Sequence, residues 1–314
     1  MYCQHHFRSL FLILVTCSLA LFMSCQSDSA EPAGQYSVTF SVSNYRQISF
    51  DDLSPSSSSR AGEAIVMSLA NLSVTVFDAE TGERVVPTVL HKSSDYEEDS
   101  EKAKTFPQFQ VSLPRGRYRV LVLGYNGSRT CNIASLSHIS WADDYVPNTF
   151  LYCEEFTLDE NASLNRDITL RHVVAAFRVT AEDAIPAELK AMRFVSTAGG
   201  TVLNATTGFA AQNTGRTSAI DVPASYAGKP GVPFTVYLFL PQEQTTGNYT
   251  IQALGSNNAA FSEIHFYDVP LRINYLTEWK GKAFEETDDV TPSTEGSLNI
   301  KWDMDWEGTY EVKR

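Results

Sequence analysis

The residue with the clearest covalent chemistry is Cys25. It follows the small residue Ser24, and ahead of that Leu10 to Met23 run almost wholly apolar behind a short segment, Met1 to Arg8, with one firm positive charge. Charged start, apolar run and small residue before the break are the layout of an export signal. A break placed before a cysteine implies cleavage there and acylation of the freed chain's thiol. Phe22 stands where such sites usually carry Leu, with Leu21 one place early, and Cys17 after Thr16 ranks second. The apolar run of about 14 residues is short of the roughly 20 that a membrane-spanning helix needs. Residues 1–24 are therefore expected to be a signal peptide, and the mature chain to be held at a membrane by lipid on Cys25.

Other reactive side chains are scattered. His91, His138, His172 and His265 follow the leader, and none stands in an HExxH, HxH or His/Cys arrangement, which argues against zinc. Ser140 and Ser196 lack a G-x-S-x-G elbow, and no glycine-rich loop matches a phosphate cradle. His172 lies in an apolar run, where a hydrogen-bonded core or edge histidine is expected rather than a base. Carboxylates gather at Asp95, Glu97, Glu98, Asp99 and Glu101, at Asp143 and Asp144, and at Glu285, Glu286, Asp288 and Asp289. None of these clusters has the spacing of a calcium loop, and no two carboxylates are marked as a glycosidase pair. No catalytic residue, metal or cofactor is expected, and the chain is not read as an enzyme.

Two further pairs could do chemistry. Cys131 and Cys153 are the only cysteines after Cys25; in an oxidising compartment they could form a disulfide, with two buried thiols as the alternative. In Trp302-Asp303-Met304-Asp305-Trp306, strand alternation puts both tryptophans on one face. Exposed, Trp302 and Trp306 could stack on sugar rings; buried, they belong to a last core strand.

The elements that position these residues read as strands. Loss of the leader removes only Arg8 from the 24 basic residues and none of the 37 acidic ones, leaving a mature net charge of about −14. So acidic a body repels phosphate backbones and anionic headgroups, so nucleic acid is excluded as a partner. Gln26 to Gly34 is a polar tether with no apolar period. Tyr36, Val38, Phe40 and Val42 then alternate with polar residues, as a half-buried strand requires. DDLSPSSSSRAG at 51–62 is a Ser-rich loop with one basic residue, Arg60, near its end. Leu72 to Phe77, the turn DAETGE and Arg84 to Val86 read as a hairpin. Phe109 to Leu113 and Tyr118 to Leu123 flank the turn Pro114-Arg115-Gly116, and a further strand runs near Tyr152 to Leu158. ITLRHVVAAFRVT at 168–180 is read as one long strand opening a second domain, followed by strands near 189–195, 234–240, 249–254, 264–273 and 298–302. Few elements are legible between 195 and 231. Many short strands with turn signals and no three-turn amphipathic helix mean an all-β chain of sandwiches. The expected layout is signal peptide 1–24, tether 25–34, and β-sandwich domains at 35–167 and 168–314.

The order of these pieces carries a family likeness. VTFSVSNY, the loop ending in SRAG, NLSVTVFDAETGERV, LPRGRYRVLVLGYNG, ITLRHVVAAFRVTAED and VPLRINYLTEWKGKAF together resemble the fimbrillin-like fimbrial subunits of Bacteroidetes, which include stalk, tip and anchor proteins. The resemblance implies two transthyretin-like Greek-key sandwiches, export as an outer-membrane lipoprotein and assembly into adhesive surface fimbriae. It also implies processing by an Arg- or Lys-directed protease. Such a cut would fall between Arg60 and Ala61, releasing the lipidated segment with the first strand so that the next subunit donates a strand in its place. The implied partners are other fimbrial subunits, the outer membrane through the lipid, and host or bacterial surface ligands. In an anchor the lipid would stay on and Arg60 would stay uncut. A different reading is a lipid-anchored outer-membrane protein that binds glycans through Trp302 and Trp306.

Overall fold

Strand-forming sequence is laid down in short apolar-polar alternations, and the computed structural model turns each into a ladder. It describes residues 34–44, 69–92, 108–159 and 164–284, and the backbone alone of 301–303 and 306–312. The leader, Cys25, Arg60, Ala61 and the acidic clusters at 95–101 and 285–289 lie outside the described residues.

The first strands are β1 (Tyr36–Asn44), β2 (Asn71–Asp78), β3 (Arg84–Lys92), β4 (Phe109–Leu113) and β5 (Gly116–Tyr125). Next come β6 (Cys131–Ser135), β7 (His138–Trp141), β8 (Thr149–Leu158), β9 (Leu164–Thr169) and β10 (Arg171–His172). They are followed by β11 (Ala175–Ala181), β12 (Ala191–Ser196), β13 (Leu203–Asn204), β14 (Phe209–Ala210), β15 (Arg216–Asp221) and β16 (Val232–Leu238). The last are β17 (Gln244–Leu254), β18 (Ala260–Arg272), β19 (Tyr275–Gly281), β20 (Lys301–Asp303) and β21 (Trp306–Val312). Among the described residues the chain is all-β, arranged in five sheets.

Two sets of seven strands share one topology. In the first, β4-β1-β9 faces β3-β2-β5-β8; in the second, β16-β11-β19 faces β15-β12-β17-β18. β1 pairs antiparallel with β4 and parallel with β9, and β11 pairs antiparallel with β16 and parallel with β19. Each set encloses its own core. Val38, Phe40, Leu72, Val74, Val120, Val122 and Phe156 fill the first, and Phe177, Val179, Phe194, Ile251, Phe266 and Trp279 the second.

The sets differ in what is inserted, and the insertions meet. The first set carries β6 and β7 between β5 and β8, whereas the second set joins β17 to β18 by a short turn. The second carries β13 and β14 between β12 and β15, where the first has only the Asp78–Glu83 turn. β7 and β13 pair at Ile139 and Leu203, making one sheet, β14-β13-β7-β6, from both insertions. Under it lies a third core with Phe77, Leu121, Leu123, Trp141 and Val174 from one side and Ala176, Leu203, Phe239 and Leu276 from the other. That core buries the outer face of the β2-β5-β8 sheet, which explains why β5 is apolar on both faces.

Local chemistry fixes the connections. In the β2–β3 turn, the Asp78 carboxylate accepts the amides of Glu80 at 2.9 Å and Thr81 at 2.8 Å. Those bonds, Thr81 first, stabilise the carboxylate and hold its pKa below the usual carboxylate range. Gly82 supplies the positive φ of 72° that closes the turn.

Three expectations are corrected. The run 168–180 is the end of β9, then β10, then β11, serving three different sheets. Buried and exposed residues alternate from Ile168 to His172 and both faces are buried from Val173 on, and nothing in that pattern marks where the chain changes sheet. The segment 302–306 is not one alternating strand: β20 and β21 form an antiparallel pair with Asp303 opposite Trp306. The two tryptophans therefore stand on neighbouring strands, and Met304 and Asp305 lie outside the described residues. The interval 195–231, nearly blank in sequence, holds β13, β14 and β15.

Candidate functional site

β1 is the element whose position and attachment disagree most. Its alternation YSVTFSVSN puts Val38 (0% exposed) and Phe40 (1%) into the first core. The Phe40 ring lies 6.3 Å from that of Phe109 and meets Phe156 edge-on at 5.5 Å. On one side five residues register with β4, from Tyr36 opposite Leu113 to Phe40 opposite Phe109. On the other, Val38 to Asn44 register with Leu164 to Thr169 of β9. Gln110 adds a side-chain bond to Ser37 at 2.6 Å. β1 is thus the middle strand of its sheet, and taking it away leaves β4 and β9 as two facing edges over an apolar trench.

Its covalent attachment is weak by comparison. The next described residue after Asn44 is Leu69, so β1 is joined to the rest of the fold only through residues 45–68, the stretch that carries Arg60 and Ala61. The equivalent strand β11 follows β10 after two residues, Val173 and Val174, both buried in the third core. On its far side β9 borders a cleft of about 550 Å³ lined by Tyr152, Cys153, Glu154, Arg166, Asp167 and Arg171. Its opposing charges sit side by side, and Tyr152 donates to Glu154 at 2.9 Å.

Cys131 and Cys153 are two free thiols, half-buried against the third core. Burial pushes the Cys131 thiol up to about 12 and the Cys153 thiol up to about 11. Both stay protonated at neutral pH, so neither is a nucleophile or a thiolate ligand there. Trp302 falls on β20 and Trp306 on β21; the tryptophans with described side chains, Trp141 and Trp279, are both buried. Asp143 pairs with Arg129, and Asp144 accepts the Thr201 hydroxyl at 3.4 Å. Among the described residues, no three of His, Cys, Asp or Glu gather as a metal would need.

His172 is a core histidine, and its partners were invisible in sequence because they lie 24 and 102 residues away. Nε2 stands 2.6 Å from Asn148 Oδ1 and Nδ1 2.7 Å from Asn274 Oδ1. The ring stacks on Phe150 at 4.0 Å. Burial, opposed by the Asn274 bond, brings its pKa down to about 4, so the imidazole is neutral at pH 7. A neutral ring donates from one nitrogen only, so one amide must turn its NH2 toward it. The cluster ties Asn148 and β10 of the first set to the β18–β19 turn of the second, where Asn274 takes a positive φ of 63°.

A family model described as a family of unknown function, DUF6562, matches residues 31–313. No curated protein matches the chain in sequence. Among solved structures, a candidate adhesin from Bacteroides ovatus is similar at 12% identity and a TM-score of 0.46, over 74% of this chain and 82% of that one. The tip fimbrial protein Mfa3 of Porphyromonas gingivalis is similar at 11% identity and a TM-score of 0.34, over 74% and 82%. A candidate cell adhesion protein from Bacteroides eggerthii is similar at 10% identity and a TM-score of 0.36, over 90% and 99%.

Proposed function

We propose that this chain, which belongs to the DUF6562 family of unknown function, is a subunit of an adhesive surface fimbria, exported as a lipoprotein and assembled by exchange of its first strand. The observation that carries this reading is β1 itself: the middle strand of its sheet, with Val38 and Phe40 buried in the first core, joined to the rest of the fold through residues 45–68, the stretch of sequence that holds Arg60. A cut between Arg60 and Ala61 would separate Cys25 and its lipid, together with β1, from the body. The emptied place between β4 and β9 would offer backbone groups on both sides and a trench lined by Phe109, Leu113, Phe156 and Ile168. An extended segment of another subunit satisfies both needs at once. The two seven-stranded sets are then two transthyretin-like domains, and the third core keeps them from moving apart while load passes along a filament.

The reading is tested by cutting the full chain with an Arg-specific protease under native conditions. The residue 61–314 body should stay folded with the β1 fragment bound, and excess synthetic peptide spanning residues 35–45 should exchange with that fragment. A body that unfolds on cutting, or a fragment that never exchanges, contradicts it. A second reading rests on the signal sequence alone: an anchor subunit that keeps the lipid on Cys25 and leaves Arg60 intact.

A further inference from the structure

The outer face of the β15-β12-β17-β18 sheet is not covered by either insertion, and it carries an unusual row of side chains. Arg193 of β12 donates to Gln252 of β17 at 3.2 Å, and Gln252 donates to Glu263 of β18 at 2.6 Å. Glu263 lies 3.0 Å from His265, whose other ring nitrogen is 3.2 Å from the Thr250 hydroxyl. The His265 ring in turn stacks beside Tyr267 at 6.5 Å. Two aromatic rings flank this ladder on the edge strand, Phe261 at 42% exposure and Tyr267 at 37%. Strand alternation places Phe261, Glu263 and His265 on the same solvent face, with Ile264 and Phe266 turned into the core. Bulges in the β17–β18 register stand next to both rings, a device that re-aims side chains at a sheet edge. At a strand rise of about 3.3 Å per residue the rings are about 20 Å apart.

We infer that this face is a binding platform for a neutral polysaccharide chain lying along β18, with Phe261 and Tyr267 stacking on sugar rings and the Arg193–Gln252–Glu263–His265 ladder bonding hydroxyls between them. The chemistry selects this occupant. A sugar chain has apolar ring faces alternating with hydroxyl edges, as the row alternates rings with donors and acceptors. The ladder carries one guanidinium and one carboxylate, linked through Gln252, so its formal charges balance and nothing on it calls for a charged polymer, and the chain's net charge of −13 repels anionic ones. A protein partner would need a contiguous apolar centre, and here Glu263 and His265 stand between the two rings on the solvent face. The polar side chains are held by one another before any ligand arrives, which limits the ordering cost of binding. The inference extends the adhesive reading but makes no use of β1, so each can fail without the other.

The test is affinity electrophoresis of the uncut full chain against soluble β-glucan, xylan, mannan and, as the anionic contrast, polygalacturonate. The expected result is saturable retardation by at least one neutral polymer. In a Phe261→Ala/Tyr267→Ala double variant that binding should weaken by at least about tenfold, the scale of lost ring stacking, with the melting temperature unchanged because both rings are exposed. A Trp302→Ala/Trp306→Ala variant should bind as the parent does. Retardation by none of the neutral polymers, by polygalacturonate alone, or equally by parent and Phe261/Tyr267 variant overturns the inference. So does loss of binding in the tryptophan variant only.

Discussion

Acid should loosen the joint between the two seven-stranded sets through a single side chain, His172. The imidazole is enclosed by Phe150, Asn148 and Asn274 and must be neutral to fit, with a folded pKa of about 4. In the unfolded chain it returns to its ordinary value of 6.5. Between those two values the unfolded chain binds a proton that the folded chain refuses, so stability rises with pH across the window. The contribution is complete above pH 6.5, falls as pH drops toward 4 and changes no further below that. From pH 7 to pH 4.5 the loss works out at about 2.5 kcal/mol. The assay is urea unfolding, followed by fluorescence of the buried Trp141 and Trp279, at pH 7, 5.5 and 4.5 for the parent chain and His172→Gln. Titration of carboxylates elsewhere is common to both and cancels in the difference. The glutamine variant starts less stable, but its curve should lose about 2.5 kcal/mol less than the parent's over that range. Two curves parallel to within about 0.5 kcal/mol would mean that the imidazole is not held neutral by burial, and would refute the reasoning.

Other consequences follow from particular contacts. Phe40→Ala removes the ring that joins β1 to Phe109 and Phe156, and should cost about 3–5 kcal/mol in the uncut chain while speeding exchange of the β1 fragment after cutting; unchanged exchange would show that β1 is not held by this core. Gly200→Ala would place a methyl group 2.3 Å from the Gln212 carbonyl oxygen, so the 197–215 insertion must shift, at a cost of about 1–3 kcal/mol by urea unfolding. Asp183→Ala strips the acceptor from the amides of Ala283 and Phe284, 2.9 and 2.8 Å away, and should release the end of β19 to hydrogen exchange. Cys131 and Cys153 should resist iodoacetamide at pH 8 in the folded chain and both react in denaturant without reductant; a pair that reacts only after reduction would show a disulfide.

The all-β class was legible because alternation such as that of β1 and the turn chemistry of DAETGE are local signals. The hairpin β2–β3, the strand β5 apolar on both faces and the buried character of His172 could be read for the same reason. What local pattern cannot carry is the change of partner sheet inside a strand-like apolar run, so 168–180 read as one strand instead of three. Two-residue strands such as β13 and β14 have no period at all, and they matter only because Leu203 meets Ile139 from another part of the chain. The partners of His172 are distant in sequence, and the ladder from Arg193 to His265 is a cross-strand feature that exists only once the registers of β12, β17 and β18 are set. Phe261 and Tyr267 gave no signal as single aromatics in an otherwise ordinary strand. The tryptophans were conspicuous by type, yet Trp302 falls on β20 and Trp306 on the neighbouring β21, a division that alternation along one strand does not reveal.

Assembly by strand exchange requires β1 to be a temporary strand. Its most direct test is the intact mass and N-terminal sequence of this polypeptide taken from surface filaments. A mature chain that begins at Ala61, without lipid and without residues 35–44, is the predicted result. A filament-borne chain that begins at lipidated Cys25 and still carries β1 would contradict strand exchange and leave the anchor reading in its place.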